Sequence, residues 1–244
     1  AHKAWLYRIL TAIADDLYLM QFLRFKGGTC AALRGFLDRF SVDLDFDIIA
    51  DGKNIAQISA HLEDIFSELG LEIKDKSSAI PQYFLKYNAP EHARNTIKVE
   101  AVFPVPLSND YEPVRLIDID RIMHCQTLET MFANKLVAVL DRHAKHESIA
   151  GRDIYDIHHF FMNGYSYKKE IIIERQNITL PEFFKKLRDF IEDKVTENVL
   201  TQDLNYLLVP ERFKKLRKVL KKEVLIFIND EIQRINIAKD ILKP

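Results

Sequence analysis

Three aspartates alternate with apolar residues in the run Asp43-Leu44-Asp45-Phe46-Asp47-Ile48. That is the period of a half-buried β-strand. Residues two apart in a strand share a face and lie roughly 6.6 Å apart. Asp is disfavoured in strands, and three carboxylates on one face repel one another unless cations or protonation relieve them. The face must therefore meet water or hold positive charge. An Asp-x-Asp pair suits two hard cations about 3.5–4 Å apart, the arrangement used for in-line phosphoryl and nucleotidyl transfer.

Upstream, Lys26-Gly27-Gly28-Thr29 reads as a tight turn leading into a helix. Glycine allows positive φ and close approach to the backbone. Successive N–H groups at a helix N-terminus form an anion site. Thr29 is placed either to cap a helix beginning at Cys30 or to donate its hydroxyl to a phosphate, with Lys26 beside it. Together the two stretches resemble the nucleotidyltransferase signature, Gly-Gly/Ser-Thr/Ser followed after a short helix by Asp-x-Asp. The wording here runs from Phe25-Lys26-Gly27-Gly28-Thr29 to Arg39-Phe40-Ser41-Val42-Asp43-Leu44-Asp45-Phe46. It is similar to that of the AbiEii/AbiGii-type toxins, nucleotidyltransferases of abortive-infection and toxin–antitoxin systems.

The apolar spacing predicts a helix over Ala4–Leu23 and another over Asn54–Leu69, with Gly70 as its cap. Strands are expected at Leu71–Lys74, Tyr83–Tyr87 and Thr96–Phe103. The order suggests an α/β fold (α+β in the strict sense), a small mixed sheet with flanking helices. Glu100 is a polar residue in a strand that otherwise reads as buried. The resemblance makes it the third carboxylate of the metal site, beside Asp43 and Asp45, and the acceptor of a proton from the attacking hydroxyl. Asp47 is the competing third carboxylate, on the same face but expected at the rim.

From Met123 onward the pattern turns helical. Leu128–Arg142 carries an apolar face, and Lys135 and Arg142, two turns apart, share another. Such a stripe can hold a triphosphate by the point charge of Lys and the fork of Arg. Gly151-Arg152-Asp153 and Asp156 follow on a helix, with both aspartates on one side. Lys135 to Arg142, then Gly151-Arg152-Asp153-x-x-Asp156, resembles the second pair of AbiEii-type signatures. The resemblance gives Lys135 a nucleotide-phosphate role and puts Lys135 and Asp153 in the catalytic site, with Arg152 and Asp156 bracing Asp153; Arg142 and Arg152 are expected to bind the nucleotide as well. It covers roughly Phe22 to Phe161. A sheet core over residues 1–121 is expected, then a helical region over 122–244 whose first helices close the active-site cleft. Leu180 to Leu242 reads as helical and charged, with Pro181 and Pro210 near helix starts. Glu211–Phe227 reads as one helix, rich in Arg212, Lys214, Lys215, Arg217, Lys218, Lys221 and Lys222. That stripe could track an RNA backbone.

The chain has 244 residues and a formal net charge of −1, so any nucleic-acid partner must be met by a local patch. Cys30 and Cys125 are too few for a disulfide framework and read as buried free thiols in a reducing compartment. No apolar run spans a bilayer and no signal-peptide pattern is present, so no membrane partner and a cytoplasmic location are expected. His158 and His159 lack further ligands at zinc spacing. The resemblance implies an NTP-dependent, Mg²⁺-dependent enzyme, with two ions, that releases pyrophosphate. Gly27, Gly28 and Thr29 would cradle the β- and γ-phosphates, with Lys26 a further nucleotide-binding residue. It implies a tRNA 3′ end as the leading acceptor, growth arrest and phage defence as consequences, and a cognate antitoxin as partner. Rival readings are transfer to a protein or small molecule, and a silent nucleotide-binding or interaction module; the intact Gly27, Gly28, Thr29, Asp43, Asp45, Lys135 and Asp153 stand against the last.

Overall fold

The structure, a computed structural model, describes residues 1–50, 52–92 and 94–241. It divides into two compact units, one built from Ala1–Val105 and Asn109–Thr127, the other from Pro106–Ser108 and the chain from Leu128 onward.

In the first unit, helix α1 (His2–Asp15) buries Leu6, Ile9, Leu10 and Ile13, one helical stripe. The single helix expected over Ala4–Leu23 is broken at Asp16. Its backbone is extended, and its carboxylate accepts from the Tyr18 and Leu19 N–H groups at 2.8 and 2.9 Å, which starts α2 (Leu17–Phe22). Apolar spacing continues through a capping residue and does not reveal it. The chain goes on through β1 (Leu23–Lys26), α3 (Gly27–Leu33), β2 (Leu44–Ile48), α4 (Ile55–Glu68), β3 (Glu72–Lys76), β4 (Gln82–Lys86), β5 (Thr96–Val102), β6 (Tyr111–Leu116) and β7 (Arg121–Gln126). These strands form a seven-stranded mixed sheet in the order β3-β4-β5-β2-β1-β7-β6. β2 is parallel to β5 and antiparallel to β1, and β1 is parallel to β7. Helix α4 buries Ile58, Leu62, Ile65 and Phe66, and Phe66 meets Tyr83 of β4 edge-on at 5.2 Å. Phe25 and Phe46, neighbours on β1 and β2, lie 5.3 Å apart in the core.

Three strands differ from the sequence expectation. β1 has four residues and follows a helix directly, so no alternation of useful length announces it. β6 contains Pro113, which discourages a strand assignment but is tolerated at the sheet edge, where β6 lies. β7 occupies Arg121–Gln126, where helical pattern was expected from Met123; Met123 and Cys125 are buried while Ile122 and His124 are exposed, a period of two. The first compact unit runs to Thr127 and so includes β7. Cys30 and Cys125 are both buried and free, and burial pushes the Cys30 thiol up.

The second unit is helical: α5 (Leu128–His146), α6 (Gly151–Met162), α7 (Lys169–Gln176), α8 (Leu180–Lys194), α9 (Glu197–Leu204), α10 (Pro210–Leu216) and α11 (Leu220–Ile241). α5 packs on α6 and α7, and α11 packs on α8 and α6. Phe132, Phe160, Phe183 and Phe184 fill the core between them. Thr179 and Glu182 form a capping box at α8 with Pro181 in its first turn, and Pro210 opens α10. The helix expected over Glu211–Phe227 is interrupted between Leu216 and Leu220. Leu242, the end of the expected helical stretch, lies outside the described residues.

Asp16→Ala removes the α2 cap and the carboxylate that His61 Nδ1 meets at 2.7 Å. The expected cost is about 1–2 kcal/mol of unfolding free energy by urea denaturation, with the slope unchanged. No loss would mean that the break at Asp16 is fixed by packing alone.

Candidate active site

Strand register decides which side chains share a face. Lys26 pairs with Asp45, Asp45 with Glu100, and Glu100 with Gln82. Phe25 pairs with Cys125, which brings Lys26 beside Gln126, and Gln126 pairs with Tyr111. One polar row, Gln82-Glu100-Asp45-Lys26-Gln126-Tyr111, thus crosses six strands. Asp47 is next to Asp45 on the same face of β2, and Asp43 precedes it.

Asp45 is half-buried. Burial pushes its carboxyl up and the charge of Asp43 adds to that; Lys26 opposes, Glu100 adds less than Lys26 removes, and Lys98 opposes least. Its Oδ2 lies against the glycine turn: a Cβ added to Gly27, which has φ +79, would fall 2.3 Å from it. A Cβ on Gly28 would fall 2.9 Å from both the Arg39 guanidinium and Ser41 Oγ. The Arg-Phe-Ser segment, the glycine turn and the acidic strand therefore interlock, which accounts physically for their joint appearance in the sequence. Thr29 lies inside α3 and does not cap it, since the helix begins at Gly27. Its buried hydroxyl donates to the Asp43 backbone carbonyl at 2.5 Å, so it braces the acidic strand's entry.

Asp47 is not at a rim. It is 1% exposed. Lys26 Nζ donates to its Oδ1 at 2.5 Å, and Gln126 Nε2, Tyr111 OH and Asn109 Nδ2 donate to its Oδ2 at 2.6, 2.8 and 3.2 Å. A carboxylate satisfied on both oxygens by four donors is a structural anion. The sequence does not reveal Asn109, Tyr111 and Gln126, because β6 and β7 are not apparent in it, nor Gln82, because a neutral polar residue carries no motif. Glu100 Oε1 accepts from Gln82 and lies 3.0 Å from Lys98 Nζ. Among the described residues no three His, Cys, Asp or Glu side chains are gathered into a group that could hold a metal ion. Asp43, Asp45 and Glu100 are thus near one another without forming a closed cage. The donor set still fits a hard divalent cation: oxygen ligands only, whose mutual repulsion at Asp45 a cation would relieve.

The second unit brings together its own set. Lys135 Nζ lies 3.0 Å from Asp153 and 2.8 Å from Asp156, both buried, and Arg142 Nε lies 3.3 Å from Asp153. Burial raises the Asp153 carboxyl, yet Lys135, Arg142 and Arg152 outweigh it and hold it at about 2. Asp153 is therefore ionised throughout the physiological range. Gly151 is required by packing: a Cβ there would fall 2.9 Å from the Val199 carbonyl of α9. The family wording around Lys135, Arg142 and Gly151-Arg152-Asp153 thus corresponds to one buried ion-pair network.

A family model described as nucleotidyl transferase AbiEii toxin, type IV toxin–antitoxin system, matches residues 8–232. The chain belongs to the AbiEii nucleotidyltransferase toxin family. It is a nucleotidyltransferase by that membership, which also implies an NTP co-substrate and an antitoxin partner. Similar solved structures agree with the fold. JHP933 from Helicobacter pylori is 19% identical with TM-score 0.52, covering 98% of this chain and 96% of that one. MenT4, nucleotidyltransferase toxin Rv2826c from Mycobacterium tuberculosis H37Rv, is 19% identical with TM-score 0.57, covering 95% and 85%. Comparison with the curated proteins finds no match. Among the described residues no helix is long and apolar enough to cross a membrane.

Gly27→Ala forces a side chain into left-handed backbone and against the Asp45 carboxylate. Expected are a stability loss of about 1–2 kcal/mol and a fall in nucleotidyl transfer of more than about 10²-fold. Wild-type transfer by this variant would contradict the placement of Asp45 over the turn.

Proposed function

We propose that the chain transfers NMP from an NTP to an acceptor hydroxyl, with a tRNA 3′ end as acceptor, and that this blocks translation and growth. The observation that carries the reading is the acidic pair Asp43 and Asp45 beside the Gly27-Gly28 turn. In this reading Asp43 and Asp45 hold Mg²⁺, and Glu100, in register with Asp45, is the third carboxylate. The bound cation would neutralise charge on the phosphates and acidify the attacking hydroxyl. The Gly27 and Gly28 amides hold the β- and γ-phosphates. Thr29, its hydroxyl on the Asp43 carbonyl, keeps turn and acidic pair in step. Within the second unit, Lys135, Arg142 and Arg152 are proposed as phosphate-binding cations, with Asp153 and Asp156 setting their positions. The proposed setting is the cytoplasm, in abortive infection against phage, under control of a cognate antitoxin.

An RNA acceptor is supported by charge distribution. Residues 212–222 carry seven Lys or Arg and no acid, so the remainder of a chain of net charge −1 carries −8 against the segment's +7. Lys214, Lys215, Lys218 and Lys222 are exposed, while Phe213, Leu220 and Val224 are buried, which leaves a charged face. The pairs Lys214–Glu211 at 3.9 Å and Arg217–Glu197 at 3.6 Å are largely exposed and neutralise it weakly.

The direct test is a labelling assay with Mg²⁺, total tRNA and each of four α-labelled NTPs in turn. Label in tRNA from one NTP, lost in a folded Asp45→Ala variant by more than about 10²-fold, is the expected result. An active Asp45→Ala variant would overturn the metal assignment, and label in protein would overturn the acceptor. Replacing Lys214, Lys215, Lys218 and Lys222 with Gln is expected to weaken tRNA binding and reduce the slope of log affinity against log salt by up to about 4. Unchanged binding would remove α10 and the start of α11 from the RNA surface.

A further inference from the structure

Lys26 is the cross-strand partner of Asp45 and shares its face. Side chains at such positions have Cβ atoms about 4.5–5.5 Å apart, and a lysine's flexible stem carries a compact unit charge. Left alone, that ammonium would settle on the Asp45 carboxylate and occupy it as an intramolecular counter-ion. It does not. Lys26 Nζ is 2.5 Å from Asp47 Oδ1.

We propose that Asp47 is a positioning residue for the metal site: it captures the Lys26 ammonium and so keeps Asp45 available to the divalent cation. The proposal rests on the reading of Asp45 as a metal ligand. Asp47 is built for the task. Its Oδ2 takes the Gln126 amide, the Tyr111 hydroxyl and the Asn109 amide, so three neutral donors from the β6–β7 side of the sheet fix the carboxylate with Oδ1 turned to Lys26. They also make a 1%-exposed anion tolerable, since an unpaired buried carboxylate is strongly disfavoured.

The test is Mn²⁺ binding to the nucleotide-free protein, read by electron paramagnetic resonance of unbound Mn²⁺ at fixed ionic strength. It uses the wild type, Asp47→Asn, Lys26→Met and the double variant. Asp47→Asn is expected to weaken Mn²⁺ binding about tenfold, because a competing intramolecular cation lowers the fraction of competent site. The deciding quantity is the coupling between the two positions. Adding Lys26→Met to Asp47→Asn should restore wild-type affinity, a gain several times larger than Lys26→Met gives in the otherwise wild-type chain. Equal gains in both backgrounds would mean that only net charge matters and would overturn the proposal, as would unchanged binding by Asp47→Asn. If Asp47→Asn does not fold, Tyr111→Phe, which removes one donor that turns Asp47, carries the test with the same sign. Asp45→Ala in the same assay separates the two levels: wild-type Mn²⁺ binding by that variant would remove the metal reading itself.

Discussion

Carboxylates brought onto one face of a sheet raise one another's energy, and the arrangement of the first unit follows from how each is compensated. Asp47 is compensated fully, by one ammonium and three neutral donors. Glu100 is compensated by Lys98 and Gln82. Asp45 is left with a raised carboxyl over the glycine turn. The uneven distribution of counter-charge, more than the number of acids, sets Asp45 apart from Asp47 and is what favours the proposed metal role of Asp45. Cross-strand register sets that distribution, because it decides which lysine can reach which carboxylate.

The second unit solves a related problem in the opposite direction. Two buried aspartates, Asp153 and Asp156, gather Lys135, with Arg142 on Asp153. Burial alone would favour protonation of Asp153, but three cations outweigh it and hold the carboxyl at about 2. Removing a single partner from such a network leaves an uncompensated buried charge, which is costly. The network therefore holds Lys135 and Arg142 in fixed positions.

The acidic strand, the glycine turn, helix α4 and strands β3 to β5 were legible because their periodicity is long or their residue types are costly anywhere else. Asp43-Leu44-Asp45 declares its strand by alternation, and Gly27 declares a close approach that the structure supplies in Asp45 Oδ2. The break at Asp16 was hidden because a cap needs only one carboxylate inside continuous apolar spacing. β7 was hidden because Ile122-Met123-His124-Cys125 runs into α5 with a gap of one residue. Without β6 and β7, Tyr111, Asn109 and Gln126 had no reason to be associated with Asp47, so its expected place at a rim was the natural error. Register across non-consecutive strands such as β1 and β7 is not written in local pattern, and it carries the distinction between Asp45 and Asp47.

The most direct measurement of that distinction is a crystal structure of the protein with Mn²⁺ and a non-hydrolysable NTP, with Mn²⁺ located by its anomalous scattering. The account predicts Mn²⁺ on Asp43 and Asp45, phosphate oxygens at the Gly27 and Gly28 amides, and Lys26 still on Asp47. Mn²⁺ ligated by Asp47, or Lys26 resting on Asp45 with no metal there, would contradict it.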